Sequence, residues 1–214
     1  MRKFKYLMVL TLPVTVLISF NFHGVWTYTP LIYAFVVIPF LELFFKPDAA
    51  NDAALENESK NEKLFDWLLY LIVPIQYGIL MLFLLEISSD QISITDLIGR
   101  ISAMGLMCGV LGINVAHELG HRRNKNEQFL AKTLLLSSLY MHFFIEHNRG
   151  HHKKVSTPED PNSARKGEIL YLFWIRSVVL AYLSAWNISF QDMKKAGKVK
   201  FSIYNEMMQF QMVQ

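Results

Sequence analysis

The sequence predicts an all-α, polytopic integral-membrane helical bundle, and three observations predict it. Hydrophobic residues make up 52% of the 214 residues and charged residues only 18%, against about 25% charged in an ordinary soluble domain. Four early runs carry almost no charge and approach the roughly 20 apolar residues that a helix needs to cross a bilayer. Lysine and arginine then fall on alternate connections, as a membrane topology requires. The same composition excludes a disordered chain. A net charge of +3, with no basic stripe interleaved with aromatics, gives no sign of nucleic acid as a partner. Cys108 is the one cysteine and stands in an apolar run, which excludes a disulfide framework and a cysteine metal site.

Residues 6–22 carry no charge and follow Arg2, Lys3 and Lys5. This resembles a signal peptide, but no small-residue cleavage site follows; the chain continues as NFHGVWTYTP into a second run, 25–45, with Glu42 near its end. The two runs read as a transmembrane hairpin turned at residues 21–24. The third run is 64–85, with Asp66 near its start, and the fourth is 97–116, with Arg100 near its start. The amino terminus and the 46–63 loop carry lysines, whereas the 21–24 turn and residues 87–96 carry neither lysine nor arginine. Four spans therefore return the chain to the cytoplasmic side at His117, where Arg122, Arg123 and Lys125 follow. Gly105, Gly109, Gly112 and Ala116 form a small-residue stripe on the fourth span, suited to close helix packing.

Later segments divide less cleanly. Residues 129–145 read as a short fifth span or a re-entrant helix. Residues 169–190 are apolar and aromatic but contain Arg176, and are expected to lie along the interface, anchored by tryptophans. The organisation is thus one membrane domain: four spans in 1–116, a polar region in 117–168, and an interfacial helix with the start of a further span in 169–214.

Six of the seven histidines fall between His117 and His152. In HELGH, His117 and His121 are four apart and share a helix face, so both imidazoles can reach one ion. In HNRGHH, His147 and His151 are again four apart, with His152 rotated about 100° further round a helix, toward a second ion or the other side of the same one. Either box alone is ambiguous; both together at one membrane face point to a metal. Imidazole suits zinc, copper, iron and nickel alike. A catalytic zinc takes about three protein ligands, so five histidines suggest two ions. His23, in a turn on the opposite side, is expected to be an interfacial residue. His142 is open between supporting the ligands and plain packing.

HELGH, then HFFIEHNRGHH and TPEDPNSARKGE, resemble the integral-membrane alkane 1-monooxygenases of the fatty-acid desaturase-like di-iron superfamily. The resemblance runs from the first span to the late FSIYNEMMQ segment. It implies that His117, His121, His147, His151 and His152 are ligands to two iron ions. Asp160 matches an acidic residue expected to orient a ligand imidazole, with a solvated turn aspartate as the alternative. Glu118 and Glu146 are open between supporting the ligands and ordinary structural roles. Arg149, Lys153 and Lys154 are expected to meet lipid phosphates or a redox partner.

The implied reaction is O2-dependent hydroxylation of the terminal carbon of an n-alkane to a primary alcohol. The implied electron donor is rubredoxin, and the implied place is the bacterial inner membrane with the boxes on the cytoplasmic side. Alternatives are a desaturase or lipid hydroxylase of the same superfamily, or a membrane zinc protease using HELGH with Glu118 as base. The family's later histidine motifs, NYxEHYG-like and HxDHH-like, do not occur before Gln214. The chain is therefore expected to be an inactive amino-terminal fragment with its carboxyl-terminal part missing.

Overall fold

The structure, a computed structural model, describes residues 2–45, 63–88 and 92–214, and among them every regular element is helical. The chain forms two compact units, Met1–Val115 and Ala116–Gln214. The join falls where the sequence ends its four spans and begins the histidine region.

In the first unit a 3-10 helix, Arg2–Leu10, leads into α1, Thr11–Asn21. The apolar helix Tyr6–Asn21 is shorter than a standard span. However, 3-10 helix rises about 2.0 Å per residue against about 1.5 Å for α-helix, so fewer residues cover the same depth. Helices α2 (Gly24–Glu42), α3 (Lys63–Ile87) and α4 (Ile94–Gly120) are long and apolar enough to cross a membrane. Lys46 and Lys60, on which the sidedness argument draws, lie outside the described residues, as do the side chains of Arg2, Lys3 and Lys5.

The hairpin turn forms where expected. Gly24 takes φ +64° and its N–H donates to Asp96 Oδ1 at 2.8 Å, while His23 Nδ1 lies 3.0 Å from Asp96 Oδ2. Asp96 sits in the first turn of α4, where its own N–H donates to the Ser93 cap, so one carboxylate joins the turn to a helix start. A Cβ at Gly99 would lie 2.1 Å from Thr27 Oγ1, and only glycine permits that approach. Within α4, Arg100 is buried against Glu86 at 2.8 Å.

The predicted stripe is only partly used. A Cβ at Gly105 or Gly109 would meet no described residue within 4 Å, whereas one at Gly112 would lie 3.4 Å from Gln76 Nε2. Gly109 and Gly112 lie in Cys108–Ile113, which is π-helical. A cleft of about 400 Å³ in this unit is almost wholly apolar, with Leu12, Tyr33, Ile38, Phe45 and Leu111 among its walls.

The second unit contains α5 (Lys125–Leu136), α6 (His142–Glu146), α7 (Leu170–Lys195) and α8 (Glu206–Val213); α6 continues through a π turn, His147–His151, into a last turn, His152–Lys154. The run 129–145 is thus two helices. Leu139 takes φ +52°, and the N–H groups of Tyr140 and Leu139 donate to the carbonyls of Leu135 (2.9 Å) and Leu136 (3.0 Å). That is a Schellman ending, with leucine where glycine is usual.

Helix α7 has the length and composition of a span, where the sequence expects an interfacial helix because of Arg176. The tail holds the eight-residue α8. Its cap, Asn205, is fully buried: Oδ1 accepts from the Met207 and Met208 N–H groups and, at 2.6 Å, from Ser189 Oγ of α7. Helix α6 packs along α7, with Ile145, Ala181 and Ala185 in the interior.

Candidate metal centre

Four imidazoles converge in the second unit. His121 Nε2 lies 3.0 Å from His117 Nε2, 3.2 Å from His147 Nε2 and 3.2 Å from His152 Nε2; the last two are 3.0 Å apart. All four nitrogens lie within 4.8 Å of one another. Hydrogen bonds alone cannot account for this, because a neutral imidazole nitrogen carries at most one proton and His121 Nε2 faces three others. A shared cation can. With metal–imidazole bonds of about 2.0–2.1 Å, nitrogens held roughly at right angles sit about 3.0 Å apart. The donor set therefore fits a metal ion that favours imidazole.

The identity of the fourth nitrogen follows from the backbone. In an α-helix His147 shares a face with His151. Here residues 147–151 form a π turn, with the His152 N–H bonded back to the His147 carbonyl; the His147 ring stacks on His151 at 5.3 Å between centroids and meets the His152 ring edge-on at 4.5 Å. His152 joins His147, and His151 stands outside the four-nitrogen group.

His151 is held elsewhere. Its Nδ1 lies 2.9 Å from Asp160 Oδ2, and Asp160 also accepts from Ser163 Oγ (2.6 Å) and the Asn162 N–H (3.0 Å). Asp160 is only 2% exposed. Burial raises its pKa, but these donors and His151 outweigh burial and leave it below the ordinary aspartate value. The same loop reaches α6 again, where Asn162 Nδ2 donates to Glu146 Oε2 at 2.6 Å. Glu146 is buried, its Oε1 has no partner among the described residues, and burial and the Asp160 charge raise its pKa.

Burial and the neighbouring imidazoles lower the pKa of His147 to about 3, and burial first, then His117 and His152, lower that of His121. Both rings are neutral at pH 7 and keep the lone pair that a metal requires. His142 is buried between the Tyr140 and Tyr182 rings, and neither of its nitrogens has a partner among the described residues. Burial lowers its pKa to about 4, and it touches none of the four converging nitrogens. Glu118 is exposed and pairs with Arg122 at 3.4 Å. His23 is tied to Asp96 in the other unit.

Arg149 departs from the sequence expectation of a lipid or partner contact. Its guanidinium bonds Asp192 of α7 (2.9 Å) and Glu206 of α8 (2.5 Å), and Glu206 also pairs with Lys132 of α5 at 2.7 Å. Charge within the box thus ties the π turn to three helices.

Sequence reasoning missed Arg176 and Glu168. The signal is an arginine in an apolar run with a glutamate eight residues earlier; the expected interfacial helix rests on Arg176 alone. Hydrogen bonds from Arg176 and from the Arg165 N–H hold Glu168 down to a pKa of about 2. A carboxylate depressed on folding stabilises the fold fully above its unfolded value, near 4.5, and progressively less as pH falls toward 2. Glu168→Gln is therefore expected to lower the melting temperature at pH 7, with the gap to wild type closing between pH 4.5 and 2 in detergent melts.

The sequence model of the family described as Fatty acid desaturase matches residues 97–210. Alkane 1-monooxygenase 1 of Alcanivorax borkumensis is 32% identical over 194 residues, covering 90% of this chain and 48% of the relative. Alkane 1-monooxygenase of Pseudomonas putida is 34% identical over 175 residues, covering 81% and 43%. The xylene/toluene monooxygenase hydroxylase component XylM of Pseudomonas putida is 25% identical over 144 residues, covering 66% and 39%. The chain spans about half the length of the curated relatives it matches.

Proposed function

Because the chain belongs to the fatty acid desaturase family, we propose that it is the histidine-box part of a membrane iron monooxygenase that hydroxylates the terminal carbon of n-alkanes to primary alcohols. The convergence of four Nε2 atoms within 4.8 Å, in a chain whose relatives are named for hydrocarbon oxidation, carries the reading. Imidazole donors alone admit several metals; iron is favoured because the reaction in those names is oxygenation. When bound, iron supplies the activation of O2 at the expense of two electrons, with rubredoxin as the donor.

The chain's own residues hold and orient. His117, His121, His147 and His152 offer Nε2 donors from two helices and a π turn. Asp160 fixes the His151 ring by its Nδ1, and a carboxylate on the far nitrogen raises the basicity of a ligating imidazole. Alkanes present no polar group, so recognition rests on apolar walls. The cleft within the first unit, about 400 Å³, is of the kind that takes a hydrocarbon chain. The alternation of lysine and arginine supports a cytoplasmic position for the boxes, in the inner membrane of a bacterium.

The zinc-protease reading fares less well, since four imidazoles converge where a hydrolytic zinc needs an open position. The test uses membranes containing the protein, n-octane, reduced rubredoxin with its reductase, and 18O2. One 18O atom per molecule of 1-octanol, lost in His121→Ala, is the expected result. A double bond introduced into an acyl lipid, or zinc in the purified protein with no alcohol formed, would overturn the proposal.

A further inference from the structure

The loop 155–169 contains no regular element, yet it carries both Asp160 and Asn162 to α6. Something must hold it in shape. Arg176, on α7, has a side chain only 16% exposed and spreads its guanidinium over that loop. Nε donates to Glu168 Oε1 at 2.5 Å and Nη2 to Glu168 Oε2 at 2.7 Å. Nη1 donates to the Pro161 carbonyl and Nη2 to the Ser163 carbonyl, each at 3.0 Å. The two carbonyls flank Asn162, and Ser163 also donates to Asp160. A planar fork with five N–H donors suits such a task, and an ammonium group does not reproduce it.

We infer that Arg176 is a positioning residue: by clamping the carbonyls of Pro161 and Ser163 it holds Asp160 at His151 Nδ1 and so fixes the orientation of that imidazole. The inference rests on the metal-centre reading for its purpose and on the hydrogen bonds alone for its test. None of the hydrogen bonds along this route involves His117, His121, His147 or His152, so its loss should act first on His151 and reach the four converging nitrogens only through the His147 ring, which stacks on His151 at 5.3 Å between centroids. An arginine in an apolar helix is costly unless paired, and the clamp supplies the pairing.

The test is 15N NMR of the histidine-labelled chain in lipid nanodiscs without metal, with the His151 signal assigned as the one missing in His151→Gln. Wild type should show His151 as its Nδ1–H tautomer. Asp160→Asn and Arg176→Met should both lose that signal, the double variant should change no further, and Arg176→Lys should keep part of it. The other box histidines should change less than His151, with His147, stacked on it, the most affected of them. Survival of the His151 signal in Arg176→Met would overturn the inference. So would equal disturbance of all box histidines, which would mean that Arg176 merely holds the unit together. Uptake of Co2+ by wild type is measured in parallel: its absence would sink the metal-centre reading, while the His151 signal still decides this one.

Discussion

His121→Ala should abolish metal uptake by the four-nitrogen group, whereas His151→Ala should leave that group able to bind. His121 Nε2 is the hub, within 3.2 Å of three other nitrogens; its removal deletes a donor and leaves the remaining three without a common neighbour. Loss of a supporting residue around a metal typically costs about 10–100-fold in affinity, so loss of this donor is expected to exceed about 100-fold. Asp160→Asn, which touches none of the four nitrogens directly, should stay within that smaller range. Co2+ titration of the chain in nanodiscs, followed optically, measures both. Equal losses in His121→Ala and His151→Ala would contradict the geometry.

The second large effect concerns Gly150. A Cβ there would lie 2.7 Å from Glu146 Oε1 and 3.0 Å from Ile188 Cδ1. Glu146 has little room to yield, because it is buried and its other oxygen is held by Asn162. Overpacking of this kind costs about 1–3 kcal/mol. Gly150 lies inside the π turn, so the strain falls on the segment that brings His152 beside His147. Gly150→Ala is expected to lower the melting temperature and weaken Co2+ binding together. A substitution that lowered stability while leaving Co2+ affinity at the wild-type value would separate the glycine from the centre.

Much of the architecture was legible because apolar runs and charge placement report directly on burial in lipid. The hairpin turn at 21–24 could be read from a polar break with no lysine or arginine. The two histidine boxes were legible by residue type, and four of their imidazoles converge. What the sequence could not disclose was where the helices depart from α-geometry. Two such departures fall on segments that the sequence reads as α-helical: Cys108–Ile113 in the fourth span and His147–His151 in the second box. A π turn has no residue signature comparable to a proline or a glycine cap. The misreading of Arg176 has a different origin. A lone charge in an apolar run looks the same whether water or a carboxylate eight residues away satisfies it; only the folded loop tells the two apart.

The clamp between Glu168 and Arg176 also bears on how this chain enters a bilayer. Ribosomes deliver Glu168 first, eight residues ahead of the arginine. A charged residue near the middle of an inserting helix costs about 2.5–3.5 kcal/mol, less toward its ends. When Arg176 emerges, its counter-charge is already in place at the mouth of the same helix. The pair is a neutral, hydrogen-bonded unit, so were α7, the least hydrophobic of the long helices, to cross a bilayer, Arg176 would enter it already paired.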